Sequence, residues 1–282
     1  MPEPQGLLAE LPEAQATGEL RHIYAEIRRL SAVPMVALIY RHLATIPGAL
    51  EWAWSVLEPA MQAGAVQEGA WRLARRACVA HPTVIPAAAL AAADLAPADL
   101  LGIGQVLDAY NRANPVNIVA VRCLSLQLSG GMHEGAAATW PQWQPPTPIA
   151  SLPPMVNPAA MTAPVREVAV LLTDRAATAQ PSSLWPSLYR HLAHWPAFLG
   201  YAAVLVPPQF DAIDAVAARL RREVDDLADS IASRLRPSSS HAAPTGAQAQ
   251  QLQSAIAQFS RRIPEMVVIG RLLLEALPEA AH

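Results

Sequence analysis

Three kinds of side chain in this sequence could bind or activate a small molecule. Asn114, in "ANP", could orient a ligand or a water with its amide, although asparagine before proline is also a local helix-ending signal. Arg41 and Arg190 lie in the phrase "YRHLA", which occurs twice, and an arginine can hold a carboxylate through two parallel hydrogen bonds. Because both copies carry the arginine, packing and a polar network between helices is the favoured interpretation. His191 and His194 have no nearby Cys, Asp or Glu and predict packed or surface histidines rather than a metal site.

The repeated phrase belongs to a longer internal repeat. Seven of 11 positions are identical between "YRHLATIPGAL" at 40–50 and "YRHLAHWPAFL" at 189–199, an offset of 149 residues. The same offset places "YNRANPVNIVAVRCLSLQL" at 110–128 over "FSRRIPEMVVIGRLLLEAL" at 259–277. It aligns Asn114 with Ile263, so the symmetry is broken at the asparagine. The pattern predicts a duplicated chain with a first repeat over 1–130, a crossover over 131–164 and a second repeat over 165–282.

The elements that must position these residues are predicted to be helices. Apolar residues recur at spacings of three and four from Phe210 to Leu235, and we find no convincing alternating strand. The Asn114-Pro115 step predicts the end of one helix and the start of another. Eight prolines within 141–164 exclude a continuous helix there, while the apolar residues among them indicate a crossover that packs. We therefore expect an all-α protein of two similar bundles that form a pseudo-dimer about a pseudo-twofold axis.

Composition excludes several classes of function. The 282 residues have a net charge of −3 and a pI of about 6.2, which argues against nucleic acid or an anionic membrane as partners. Lysine is absent, so a Schiff-base lysine and a phosphate-loop lysine are both excluded. Cys78 and Cys123 are far apart and do not predict a redox pair. No signal-peptide pattern and no uninterrupted apolar span occurs, and the expectation is a cytoplasmic protein.

The segments "IYAEIRRLSAVPMVALIYRHLATIPGALEWAW", "AYNRANP" and "LAHWP" resemble the group I, non-stereospecific 2-haloacid dehalogenases. The resemblance covers nearly the whole chain, including the Pro-rich crossover. It implies a duplicated all-helical pseudo-dimer with the active site between the repeats. It also implies cofactor-free hydrolysis of 2-halocarboxylic acids, in which a carboxylate base activates the water that displaces halide at C2.

The resemblance assigns roles to five positions. Asn114 takes the place of the family's catalytic asparagine. Ser187 takes that of the serine before its aspartate, and Met35 and Leu38 those of two aromatic pocket residues. Leu188 falls where the catalytic aspartate is expected, and leucine cannot accept a proton. A general base contributes about 10²–10⁴ in rate, so this chain is a divergent member whose ordinary hydrolysis is in doubt.

Three functions follow from the sequence. The first is binding of a small molecule, such as a short carboxylic acid, in an apolar pocket between the repeats. The second is a hydrolase acting on carbon–halide bonds with a base from elsewhere, and the third is a structural or partner-binding protein. No metal or cofactor is expected, and a homodimer is left open. Four carboxylates near the expected inter-repeat face are candidate replacement bases, and no spacing singles one out: Asp174, Asp108, Glu51 and Glu58.

Overall fold

The protein is described from a computed structural model that covers residues 8–130, 140–173, 185–236 and 240–278. These residues form α-helices and short 3₁₀ helices and contain no β-strand, which confirms the all-α prediction. The helices, numbered in chain order, are α1 Gly18–Ser31, α2 Leu38–Leu43, α3 Ala49–Gln62, α4 Ala65–Arg76, α5 Ala87–Ala92, α6 Pro97–Leu128, α7 Ala163–Thr173, α8 Ser187–Leu192, α9 Pro196–Leu205, α10 Phe210–Ala232 and α11 Gly246–Glu275.

Two long helices, α6 and α11, pack along each other at the centre of the molecule, and α4 and α10 pack against α6. The main apolar core is one cluster that draws side chains from both predicted repeats. Its largest fully buried members include Trp52 from α3 and Phe198 from α9. None of the described helices is long and apolar enough to span a membrane.

The predicted break at Asn114-Pro115 is wrong, because α6 continues through Pro115 without interruption. Pro115 has no amide hydrogen to donate to the Asn111 carbonyl, and its ring lies close to that carbonyl oxygen. The two effects together typically destabilise a helix by about 3 kcal/mol. Burial offsets this cost, since Pro115 and the residues that follow it lie in the core between helices. The Trp71 indole also donates to the Arg112 carbonyl at 3.0 Å, which satisfies a backbone acceptor in the disturbed turn.

The Pro-rich crossover packs against the helices, as its apolar residues predict. The Ile149 amide donates to the Ala32 carbonyl at 3.2 Å, and the Val156 amide donates to the Arg190 carbonyl at 3.2 Å. Trp143 lies against Gly64, where the backbone has a φ of +70° and a Cβ would overlap the indole. The crossover therefore contacts the first predicted repeat at Gly64 and the second at Arg190.

The helix bounds are compatible with the predicted duplication. Helices α2 and α8 begin at residues 38 and 187, and α6 and α11 begin at 97 and 246, so both pairs differ by 149. Pro115 and Pro264 lie inside α6 and α11 at the same offset. The pseudo-twofold axis and the repeat boundaries stay predictions.

Candidate functional site

A partly open cavity of about 70 Å³ lies between α2, α6, α8 and α11. One buried water needs roughly 10–15 Å³ measured in this way, so the space suits a molecule of a few heavy atoms. Met155 of the crossover and residues just before α2 and α8 complete the wall. The cavity is therefore built from segments of both predicted repeats.

All five residues that the resemblance assigns to a site line this cavity: Asn114, Met35, Leu38, Ser187 and Leu188. Leu188 is only 1% exposed and presents a hydrocarbon side chain. Met35 and Leu38 are half-buried at the start of α2. The structure brings the five together, and their catalytic or binding roles stay predictions.

The α6 wall of the cavity can form hydrogen bonds, whereas the α11 wall is mostly apolar. Three side chains with hydrogen-bonding groups face the cavity from α6: Tyr110, Asn114 and Asn117. The residues 149 positions later on α11 also line it, and they are Phe259, Ile263 and Met266. Neither asparagine amide is engaged with another described residue, so both are available to a ligand.

A buried ion cluster joins the cavity to the N-terminal segment. Arg41 lines the cavity with a side chain 7% exposed, and its Nη2 lies 3.1 Å from Oε2 of Glu10. Arg190 Nη1 approaches Oε1 of the same Glu10 at 3.8 Å, and Arg190 Nε donates to the Val156 carbonyl at 3.3 Å. The Leu11 amide donates to the Arg41 carbonyl at 2.8 Å and holds the segment in place. One carboxylate thus serves two arginines, one from each copy of "YRHLA".

A second arginine, Arg262 of α11, lines the cavity from the other side. Its Nη1 donates to Glu265 Oε2 at 2.9 Å and its Nη2 donates to the Thr173 carbonyl at 2.6 Å. Among the described lining residues there are two arginines and no carboxylate. Arg262 is thus neutralised by Glu265, whereas Arg41 belongs to a cluster in which one carboxylate serves two arginines. The cavity therefore combines an apolar wall with guanidinium donors and a small excess of positive charge at Arg41, a combination that favours a small organic anion.

Tyr110 and His191 form a buried pair at the cavity wall. The Tyr110 hydroxyl lies 2.8 Å from Nδ1 of His191. Burial lowers the pKa of His191 to about 4, so the imidazole is neutral at physiological pH. Burial also raises the pKa of Tyr110, which keeps the phenol protonated. The Ser187 hydroxyl is close enough to lower the pKa of Tyr110, yet it makes no well-aligned hydrogen bond to a described residue.

Sequence reasoning missed Tyr110, Asn117, Arg262 and Glu10 at this site. The signal that pointed to Asn114 is that the residue 149 positions later, Ile263, is apolar. Tyr110, Asn117 and Arg262 carry the same signal, since they align with Phe259, Met266 and Ala113. Glu10 carries no such signal, because its role depends on where the N-terminal segment packs.

None of the candidate replacement carboxylates is among the described residues that line the cavity. Asp108 pairs with Arg112 at 2.9 Å, and Glu58 accepts a hydrogen bond from Gln62 at 3.0 Å. Neither they nor Glu51 lines the cavity. Asp174 lies outside the described residues. In the part of the chain that the structure describes, no three His, Cys, Asp or Glu side chains are grouped to hold a metal ion.

Comparison with solved structures finds the same fold in D-2-haloacid dehalogenases. A mutant of such an enzyme matches with a TM-score of 0.76 and 19% identity, covering 98% of this chain and 97% of the other. A mutant in complex with D-2-CPA matches with a TM-score of 0.71 and 19% identity, covering 98% of this chain and 97% of the other. The complex of a D-2-haloacid dehalogenase with L-LA matches with a TM-score of 0.74 and 19% sequence identity, and the match covers 98% of each chain. No model of a known protein family and no curated protein matches the chain.

Proposed function

We propose that this protein binds a short carboxylic acid, with a 2-haloacid as its model ligand, in the cavity between α2, α6, α8 and α11. The observation that carries the proposal is the composition of the wall, which combines two arginines with apolar side chains and lacks an acidic residue among its described members. Such a wall attracts a carboxylate by charge and accepts a small alkyl or halogen substituent by apolar contact.

The full-length likeness in fold to D-2-haloacid dehalogenases supports the same class of ligand. The assignment to the group I subfamily and the pseudo-dimeric arrangement of two repeats belong to this proposal. In it, Asn114 and Ser187 orient the polar end of the ligand or a water, and Met35 and Leu38 contact its apolar end.

The family's usual base is absent in this proposal, because Leu188 stands at the place of the aspartate. Any attack by water must then use a different proton acceptor. Hydrolysis of the carbon–halogen bond is a second candidate function, favoured by the neutral His191 hydrogen-bonded to Tyr110 at the cavity wall. A purely structural role is less well supported, because it does not account for the unengaged amides of Asn114 and Asn117 in a mostly apolar cavity.

Thermal unfolding with and without racemic 2-chloropropionate tests the binding proposal. A ligand that binds only the folded state stabilises it by about 2.7 kcal/mol at 100 times its Kd, and the midpoint temperature rises accordingly. Propionamide, which has no charge, is the control ligand and is expected to give a much smaller shift. Equal shifts for both compounds, or none for either, would contradict an anion-binding cavity.

Restoring the aspartate tests the assignment of Leu188. A Leu188→Asp variant is expected to release chloride from 2-chloropropionate about 10²–10⁴ times faster than Leu188→Asn, which has a similar size but cannot act as a base. Chloride release is followed with an ion-selective electrode. Equal rates for the two folded variants would show that residue 188 does not face the reacting carbon.

A further inference from the structure

The contact between Tyr110 and His191 has an equivalent elsewhere in the molecule. His42 is 149 residues before His191, and Phe259 is 149 residues after Tyr110. The ring centroids of His42 and Phe259 are 6.4 Å apart with an interplanar angle of 40°, and those of Tyr110 and His191 are 5.6 Å apart at 60°. A histidine beside an aromatic ring on a long central helix therefore occurs twice.

The two pairs differ in one chemical group. Phe259 has no hydroxyl, and His42 instead places Nδ1 2.7 Å from the Ala9 carbonyl. Tyr110 adds a hydroxyl that reaches His191 Nδ1 at 2.8 Å. Ring packing alone is satisfied by phenylalanine, so the added hydroxyl needs another explanation. It lies at the wall of the cavity, next to Ser187 and one helical turn from Asn114.

A neutral imidazole carries one proton, and burial keeps the Tyr110 phenol protonated, so the phenol is available as a donor. With the His191 proton on Nε2, Nδ1 is the acceptor and the Tyr110 hydroxyl donates to it. The phenol oxygen keeps lone pairs that can accept a proton from the cavity side.

We propose that Tyr110, backed by His191, is the proton acceptor that takes the place of the missing carboxylate in this cavity. The proposal rests on the second candidate function, hydrolysis of a 2-haloacid. The oxygen of a water held by the Asn114 amide forms a bond to C2, and the carbon–halogen bond breaks with its electron pair leaving on halide. The water gives a proton to the Tyr110 oxygen as the Tyr110 proton passes to His191 Nδ1. The products are the 2-hydroxy acid, halide and an imidazolium that later returns its proton to solvent.

This relay needs no free phenolate. Tyr110 exchanges one proton for another and stays neutral, in keeping with its burial. The positive charge arises on His191, where Arg41, Arg190 and His194 oppose it. Glu10, which is paired with both arginines, is the nearby carboxylate that offsets them. The relay is competent while His191 is neutral, and the rate is expected to be level from pH 6 to 8 and to fall toward pH 4.

Three variants of the full chain test the relay by chloride release from racemic 2-chloropropionate. Tyr110→Phe recreates the ring pair that His42 and Phe259 already form, so it is expected to fold. It should lower kcat by about 10²–10⁴-fold. His191→Gln can still accept the Tyr110 hydrogen bond but cannot take its proton, and it should lower kcat to a similar extent. His42→Gln is the matched control and should stay within about twofold of the native chain.

The thermal shift given by 2-chloropropionate is measured on the same samples and separates chemistry from binding. The relay predicts that the shift persists in Tyr110→Phe and His191→Gln while kcat falls. Full activity in either folded variant would overturn the relay. Binding without chloride release by the native chain would overturn the relay and leave the ligand proposal intact, whereas absence of binding would overturn both.

Discussion

Glu10 is the carboxylate that two buried arginines share beside the cavity. It pairs with the buried Arg41 at 3.1 Å and lies 3.8 Å from Arg190. A ligand carboxylate that approached Arg41 would compete with Glu10 for the same guanidinium. Under the proposed function, the N-terminal segment would limit the affinity of the cavity for anions, and it keeps two buried arginines paired.

A Glu10→Gln variant is expected to bind 2-chloropropionate roughly tenfold more tightly, because Arg41 is released from its carboxylate partner, a change of about 1.4 kcal/mol. It should also unfold at a lower temperature, since removing one partner of a buried pair leaves unpaired charge. Titration calorimetry measures the affinity. Glu26→Gln, which removes a carboxylate from the outer pair with Arg29, is the control and should not change the affinity. An unchanged Kd in Glu10→Gln would show that Arg41 does not contact the ligand.

At the level of single residues, the sequence predicted five residues that lie together, but it missed most of the polar groups around them. The five residues carried over by resemblance all line the cavity. Comparing the two repeats position by position could also have identified Tyr110, which has a phenylalanine as its equivalent. The ion pairs of Glu10 could not be predicted, because they depend on tertiary packing of an irregular segment against two helices.

Among the elements, the error at Pro115 shows where a local rule fails. The rule that helices end before proline describes an isolated chain, in which nothing offsets the lost hydrogen bond. In α6 the segment on each side of Pro115 is buried against other helices. The free energy gained by this burial offsets the lost hydrogen bond, and one continuous helix results. Periodicity, by contrast, predicted α10 well, because one apolar stripe facing the core is a property of that helix alone.

The contact between Gly64 and Trp143 fixes the crossover to the start of α4. Gly64 and Gly48 both precede a helix with positive φ, at +70° and +73°, but a Cβ on Gly48 would meet no atom within 4 Å. Each Gly→Ala change strains the backbone by about 1–2 kcal/mol. Gly64→Ala must in addition displace the indole, so it is expected to cost at least about 1 kcal/mol more than Gly48→Ala. Urea unfolding of both variants measures the difference, and equal losses would mean that the crossover is not anchored there.

For the molecule as a whole, the sequence predicted the helical class because apolar periodicity and the absence of alternating segments both indicate it. The predicted duplication adds a comparison that no single helix provides. Tyr40 and Tyr189, which both predicted repeats keep, are buried in the core. Asn114 and Ile263, which differ, both line the cavity. Arg41 also lines the cavity although the other repeat keeps its equivalent, so a difference between equivalent positions finds some of the lining residues and misses others.

The stability of the whole molecule is expected to depend on the protonation of His191. In the unfolded chain its pKa is near the ordinary 6.5, and in the folded protein it is about 4. Between these values the unfolded state binds more protons, so the free energy of unfolding decreases as the pH falls from 6.5 to 4. The full difference is about 3 kcal/mol, at 1.36 kcal/mol for each pKa unit.

A His191→Gln variant removes this contribution, and its unfolding free energy should fall less steeply with decreasing pH than that of the native chain. The difference in unfolding free energy between the two proteins should be constant above pH 7 and should change progressively below it. Only the native chain has a buried imidazole at position 191, and folding must keep that imidazole neutral as the pH falls. Denaturant unfolding at several pH values between 4 and 8 gives both curves. Parallel curves for the native chain and His191→Gln would mean that the pKa of His191 is the same in the folded and the unfolded chain, so that burial does not hold this imidazole neutral between pH 4 and 6.5.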